Sequence, residues 1–312
     1  MTKTFKRFFV IGTAKSGTTS IYQYLSQHPE IFLPNVKEIH YYSDATSKVD
    51  FDFIKPKKNK TYHTKVIKDK KTYNSLFENA TTETYLGDCS PSYFYDKKAA
   101  RKIFNDYPKA KIIVVLRDPI DRAYSQYLME RRLGIEANDN FLDALKSDFQ
   151  NTKQRIWGID HLYVDHGMYY HQLQEYRKFF RDDQILCVSF QDLTKDTEKS
   201  LKEISRFLEI DSNFPFELEI VHNKYKTHRN SLTKIILNHK SKLFSVMDYF
   251  PKSTIDFIKG IFFKETDKPI MDKNALKYLQ KVYDQDIKNL KNDSLISSDF
   301  YNYLTRHFEN GE

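Results

Sequence analysis

Apolar residues recur along this chain in two rhythms. Residues 8–11 (FFVI), 112–115 (IIVV) and 184–190 (QILCVSF) are short, nearly continuous apolar runs rich in β-branched and aromatic side chains. Such runs mark strands buried on both faces of a sheet. Each is followed by a turn and then by apolar positions three and four apart, the spacing of a helix with one buried face. Residues 16–28 predict the first such helix, with Ile21, Leu25 and His28 along one face and Pro29 as its stop. Residues 121–132 predict the second, entered through Pro119, and residues 168–180, 201–208 and 273–290 predict three more. Strand–loop–helix units in this order give an α/β fold, a central parallel sheet flanked by helices on both faces, with ligands gathered at the carboxyl ends of the strands. The stretches 49–71 and 221–268 mix lysines with aromatics and give no clear element.

Composition narrows the class. No Pro/Gly/Ser-rich linker divides the 312 residues, so one domain over 1–312 is expected. Hydrophobic residues make up 40% and aromatics 15%, enough for a sizeable core and too many for a mainly disordered chain. Fifty Lys and Arg against 42 Asp and Glu leave a net charge of +8, which favours anionic partners. No helix-turn-helix, zinc-finger or RNP signature accompanies that charge, so no nucleic-acid partner is expected. The apolar run at 112–116 is far short of the roughly 20 residues that cross a bilayer, so no transmembrane segment is expected. The N-terminus lacks an export signal, and Cys89 and Cys187 suggest neither a disulfide scaffold nor a cysteine zinc site, which predicts a cytoplasmic location. Sequons at Asn59, Asn79 and Asn292 matter only in a secreted protein.

Candidate chemistry concentrates between the first strand and the first helix, in GTAKSGTTS (12–20). Gly12 and Gly17 permit tight backbone geometry, and the amides of Ser16, Gly17, Thr18 and Thr19 fall where a helix N-terminus offers unpaired donors to an anion. A triphosphate loop would place Lys directly after the second Gly, followed by a Ser/Thr for Mg²⁺. Here Lys15 lies inside the loop and Thr18 follows Gly17, so a P-loop-like phosphate cradle is kept without the triphosphate machinery. His161, His166 and His171 are five apart and no HExxH occurs, so no metal site is expected. No G-x-S-x-G elbow is present.

Taken with three later segments, NVKEIHYYS (35–43), GDCSPSYFYD (87–96) and PKAKIIVVLRDPIDRAYSQY (108–127), the loop resembles the first cofactor motif of sulfotransferases that use 3'-phosphoadenosine 5'-phosphosulfate (PAPS), in particular the carbohydrate and heparan-type branch. The resemblance runs in order over nearly the whole chain. It implies sulfuryl transfer from PAPS, without a metal, to a hydroxyl, or as second choice an amine, of a glycan. Lys15 would neutralise charge on the leaving phosphate. Ser16, Gly17, Thr18, Thr19 and Ser20 would hold the 5'-phosphate, and Arg117 with Ser125 the 3'-phosphate. Glu38 would be the general base, with His40 as its competitor. A basic loop late in the resembled enzymes makes Lys224, Lys226 and Arg229 candidates to close over the nucleotide.

Bland readings stand beside these: a surface lysine at 15, a salt bridge from Arg117 to Asp118 or Asp121, a surface carboxylate at Glu38, and core packing for Tyr93, Phe94 and Tyr95. Cys89 receives no role. The acceptor is not legible, and a glycolipid or small-molecule hydroxyl is the alternative. More distant alternatives are an atypical P-loop nucleotide kinase and a non-catalytic polyanion-binding module.

Overall fold

The computed structural model describes residues 4–44, 67–150, 161–218, 226–228 and 263–308. Its strands are β1 (Lys6–Gly12), β2 (Ile31–Phe32), β3 (Tyr85–Cys89), β4 (Lys111–Leu116) and β5 (Ile185–Ser189), with a separate antiparallel pair of β6 (Lys226–His228) and β7 (Phe263–Glu265). The first five form one parallel sheet in the order β2-β3-β1-β4-β5.

The helices are α1 (Thr18–Leu25), α2 (Lys70–Ser75), α3 (Ser92–Tyr95), α4 (Ala99–Asp106), α5 (Pro119–Leu133), α6 (Phe141–Phe149), α7 (Tyr169–Arg177), α8 (Phe190–Lys195), α9 (Thr197–Phe207), α10 (Lys273–Leu290) and α11 (Ser298–Thr305). They cover both faces of the sheet. Phe8 and Val10 of β1 pack with Ile21 and Leu25 of α1 and Leu201 and Ile204 of α9. Phe9 and Ile11, pointing the opposite way, pack with Ala123 of α5, Leu173 of α7 and Leu279 of α10.

The three apolar runs all became strands, and β2 and β3 joined them. β3 reads YLGDC, and its Asp88, 1% exposed, breaks the apolar pattern. That carboxylate accepts the hydroxyls of Ser90 at 2.7 Å and Tyr93 at 2.8 Å, so its burial is compensated. α1 is shorter than the predicted 16–28 because Gly17 sits at its N-cap with a left-handed φ of 90°. α5 starts at Pro119, capped by the Asp118 carboxylate accepting the Asp121 N–H at 2.7 Å, and stops at left-handed Gly134. α10 has the predicted bounds of 273–290.

Gly12 is the tightest point between β1 and β4. A Cβ there would stand 2.3 Å from the Val115 carbonyl oxygen, and its φ is +136°. The strand therefore runs hard against its neighbour just as the loop departs. Among the described residues no helix is long and apolar enough to cross a membrane.

Candidate anion-binding site

Adjacent parallel strands put their outgoing loops together. The Thr13 amide donates to the Val115 carbonyl at 3.4 Å, the Ser90 amide to Val10 at 3.1 Å, and the Glu38 amide to Cys89 at 3.2 Å. Residues 13–17, the KEIH segment and the start of α5 thus share the carboxyl end of the sheet.

The glycine-bounded loop is held by a 2.5 Å hydrogen bond between the hydroxyls of Thr13 and Ser16 and by the Ser16 amide donating to the Thr13 carbonyl at 3.2 Å. Ser16 and Thr18 are buried, Ser20 is half-buried and Thr19 is exposed on the first turn of α1. Lys15 has a left-handed φ of 71°. Burial, joined by the positive charges of Arg132 and Arg117, lowers its pKa to about 8 against a partial upward pull from Glu38. A desolvated ammonium among like charges is poised to accept an anion.

Arg117 follows β4 and spans the space between the two motifs. Its Nη1 donates to the Lys15 carbonyl at 3.1 Å and to the Ser125 hydroxyl at 3.4 Å. The Tyr169 hydroxyl donates to the Arg117 carbonyl at 2.7 Å. Phe190 lies under the guanidinium, 4.7 Å from ring centroid to Cζ, and its ring also limits the space at Gly17 to 3.0 Å from a Cβ. Arg117 Nε is buried and meets no acceptor among the described residues. A buried N–H left in that state costs free energy that an incoming anionic oxygen would recover. The salt bridge from Arg117 to Asp118 or Asp121 does not occur among the described ion pairs; Asp121 pairs with Arg306 and with His307 at 3.4 Å instead.

Glu38 and His40 both adopt left-handed φ values, 60° and 58°. The Glu38 carboxylate pairs with Lys37 Nζ, lies 3.8 Å from His40 Nε2, and is 39% exposed. His40 is 2% exposed, and its Nδ1 lies 2.7 Å from the Ser92 hydroxyl, which continues to Ser43 at 2.6 Å. Burial first, then the Lys37 charge, lowers the His40 pKa to about 3, so the imidazole is neutral.

Sequence reasoning missed Lys268 and Phe190. Lys268 stacks 4.8 Å over Tyr124, and burial depresses its pKa, with Asp121 opposing and Arg117 reinforcing. It was lost inside the unassigned basic stretch, whereas Phe190 was visible only as the end of an apolar run. Lys224 and Arg229 lie outside the described residues, and Lys226 falls in β6.

Asp118, Asp121 and His307 bring ligand-type atoms within 4.8 Å of one another. Burial and then Asp121 push the Asp118 carboxyl up to about 6. Burial also pushes Asp121 upward, but the His307 hydrogen bond and the charges of Lys268, Arg306 and Arg117 hold it below the usual range. Positive side chains already surround these carboxylates, so the group reads as an ion-pair cluster that fixes the start of α5.

A parallel sheet whose central strand empties into a glycine-bounded, cation-rich loop defines a phosphate-binding α/β protein. Residues 5–291 match the family described as the sulfotransferase domain, and the chain belongs to that family. It is 26% identical over 295 residues to bifunctional heparan sulfate N-deacetylase/N-sulfotransferase 1 of Caenorhabditis briggsae, covering 89% of this chain and 30% of that protein. It is 30% identical over 206 residues to the human bifunctional heparan sulfate N-deacetylase/N-sulfotransferase 2, covering 65% of this chain and 22% of that protein. The chain thus spans less than a third of the length of these relatives. The crystal structure of a sulfotransferase from Alicyclobacillus acidocaldarius matches with a TM-score of 0.60 at 25% identity, covering 80% of this chain and 99% of that one. The expected family and fold are both borne out.

Proposed function

We propose that the chain, acting as one domain, transfers a sulfuryl group from PAPS to a nucleophile on a glycan. The observation that carries this reading is the buried, acceptor-less Nε of Arg117, on a guanidinium already bonded to Lys15 and Ser125. One residue thereby ties the loop suited to a 5'-phosphate to the helix suited to a 3'-phosphate. The donor would supply an activated sulfuryl group and a phosphate leaving group.

Ser16, Gly17, Thr18, Thr19 and Ser20 would meet the 5'-phosphate at the start of α1, and Arg117, Ser125 and Lys268 the 3'-phosphate. The Lys15 ammonium neutralises charge as it grows on the leaving oxygen. Glu38, open to the cleft, takes the acceptor proton. His40 is sealed from the cleft against Ser92, and supports the segment that carries Glu38. The names of both relatives include N-sulfotransferase, which moves an amine ahead of a hydroxyl as acceptor. Chemistry agrees, because a carboxylate is a far better matched base for an ammonium-derived proton than for a sugar hydroxyl. The two thiols, Cys89 and Cys187, are unpaired, in keeping with a cytoplasmic site of action.

The test is thermal unfolding with 3'-phosphoadenosine 5'-phosphate (PAP) in EDTA beside ATP with Mg²⁺. PAP at 100 times its Kd should stabilise the fold by about 2.7 kcal/mol, a midpoint rise of several degrees. Stabilisation by Mg²⁺-ATP alone would instead favour a kinase, and stabilisation by neither would remove the cofactor reading.

A further inference from the structure

Both oxygens of the Asp121 carboxylate are engaged by residues at the end of the last helix. Oδ2 pairs with Arg306 Nη2, and Oδ1 lies 3.4 Å from His307 Nε2, which is also 4.0 Å from Asp118 Oδ1. Arg306 stands 185 residues beyond Asp121, past the stretch 5–291 that matches the sulfotransferase domain. α11 fixes both partners in place. Its Phe300, Tyr303 and Leu304 are buried in the core that also holds α5 and α10, the Arg306 guanidinium lies 4.3 Å over the Tyr303 ring, and Gln280 of α10 donates to the His307 carbonyl. Contact with Asp121 raises the His307 pKa despite burial and the Arg306 charge, which favours the charged ring.

Asp121 and Ser125 are one helical turn apart on the same face of α5, with Cβ atoms about 5–6 Å from each other. The Arg117 guanidinium runs along that face, its Nη1 3.4 Å from the Ser125 hydroxyl. A carboxylate at 121 released from α11 would therefore be within a side-chain swing of the guanidinium, whose planar fork matches it. That ion pair would neutralise Arg117 and fill the place of an anionic oxygen. It does not form: the described ion pairs of Asp121 go to Arg306 and His307, the Asp118 Oδ1 accepts the Asp121 N–H at 2.7 Å, and Arg117 Nε keeps no acceptor among the described residues.

Resting on the sulfotransferase reading above, we infer that Arg306 and His307 are positioning residues, which hold Asp121 away from Arg117 and so keep that guanidinium open for the 3'-phosphate of the donor. They act without touching the nucleotide. The C-terminal helix sets donor affinity by occupying a carboxylate that would otherwise compete for the same cation.

Titration calorimetry on the full chain tests this with two probes, PAP and adenosine 5'-phosphate, which lacks the 3'-phosphate. The wild type should favour PAP. Arg306→Gln combined with His307→Gln should weaken PAP binding about tenfold, the size of one charge-assisted contact, and leave adenosine 5'-phosphate binding unchanged. Arg306→Lys, which keeps a charge beside Asp121, should lose much less. Asp121→Asn alone should shift PAP affinity less than about threefold, because α11 already occupies that carboxylate, yet added to the double variant it should restore PAP affinity to within about threefold of wild type. Where the double variant has a lowered unfolding midpoint without ligand, His307→Gln alone carries the same cycle with Asp121→Asn. A PAP loss that Asp121→Asn leaves in place would overturn the proposal and put Arg306 and His307 on the phosphate itself. Equal gains from Asp121→Asn in both backgrounds would overturn it too, reducing the effect to net charge, as would a parallel loss of both nucleotides. A wild type indifferent to the 3'-phosphate sinks the donor site together with this role, whereas a wild-type preference that the variants keep sinks the role of α11 alone.

Discussion

Lys15 gives the site a pH dependence whose size follows from its environment. In the free protein its pKa lies at about 8, because burial, Arg132 and Arg117 disfavour the charged form. A bound phosphate would favour that form and carry the pKa back toward the ordinary lysine value. The sign is fixed by linkage: the complex holds the proton more tightly than the free protein, so affinity is full below pH 8 and falls as pH rises through it. At pH 7 about ten elevenths of free molecules carry a charged Lys15, and at pH 9 about one eleventh do. The Kd for PAP should therefore rise about tenfold from pH 7 to pH 9, or about 1.4 kcal/mol. Titration calorimetry at constant ionic strength measures it. Lys15→Arg, charged throughout, supplies the control and should lack this tenfold component, leaving whatever Lys268 contributes common to both proteins. Equal pH dependence in wild type and Lys15→Arg would refute the reasoning, and a flat wild-type curve would show that Lys15 does not meet the nucleotide.

Glu38→Gln keeps the shape of the side chain and removes the base, so kcat should fall by about 10²–10⁴ with PAP binding retained; radiolabelled sulfuryl transfer measures it, and unchanged turnover would free Glu38 of the role. His161 lies 2.5 Å from Glu130 and 3.5 Å from Glu136, both nearly fully buried. Burial alone would lower its pKa, but the Glu130 hydrogen bond and the charges of Glu130, Glu136 and Asp148 raise it above 6.5. The resulting stabilisation is complete below pH 6.5 and fades as pH rises through the folded-state value. His161→Phe, which keeps the ring stack on Tyr163, should therefore cost about 1–3 kcal/mol at pH 6 and distinctly less at pH 9 in urea unfolding; a cost independent of pH would refute the ion pair. Gly12→Ala drives a Cβ to 2.3 Å from the Val115 carbonyl at a φ of +136°, so unfolding free energy should drop by more than about 4 kcal/mol, and a drop under about 1 kcal/mol would contradict the tight strand approach.

Hydrophobic patterning reached the sheet where burial is uniform and lost it where a polar residue is buried with partners. β1, β4 and β5 read directly as apolar runs, whereas β3 hides behind Asp88, whose hydroxyl partners Ser90 and Tyr93 lie later in the sequence than the strand they complete. The loop from Gly12 to Thr19 and the Arg117–Ser125 pair were legible as motifs because each is contiguous. That both open onto the carboxyl end of one sheet followed from the strand–loop–helix order; the contact that joins them, Arg117 Nη1 to the Lys15 carbonyl, did not, since it depends on how β1 and β4 meet across about a hundred residues. Lys268 and Arg132 were invisible for a related reason: each is one basic residue among 50, and only the packing of distant elements gives it an address.

Lys15, Glu38 and His40 all hold backbone conformations that glycine adopts freely and other residues adopt at a cost of about 1–2 kcal/mol each. At His40 the buried ring and its bond to Ser92 outweigh that cost, so a library screened only for heat resistance should keep histidine there. At 15 and 38, where the side chains are a desolvated cation and a partly exposed carboxylate, the same screen should enrich glycine or asparagine. On the proposed mechanism those sturdier proteins would have lost transfer, and the same two positions would mark relatives that have kept the fold and abandoned the chemistry.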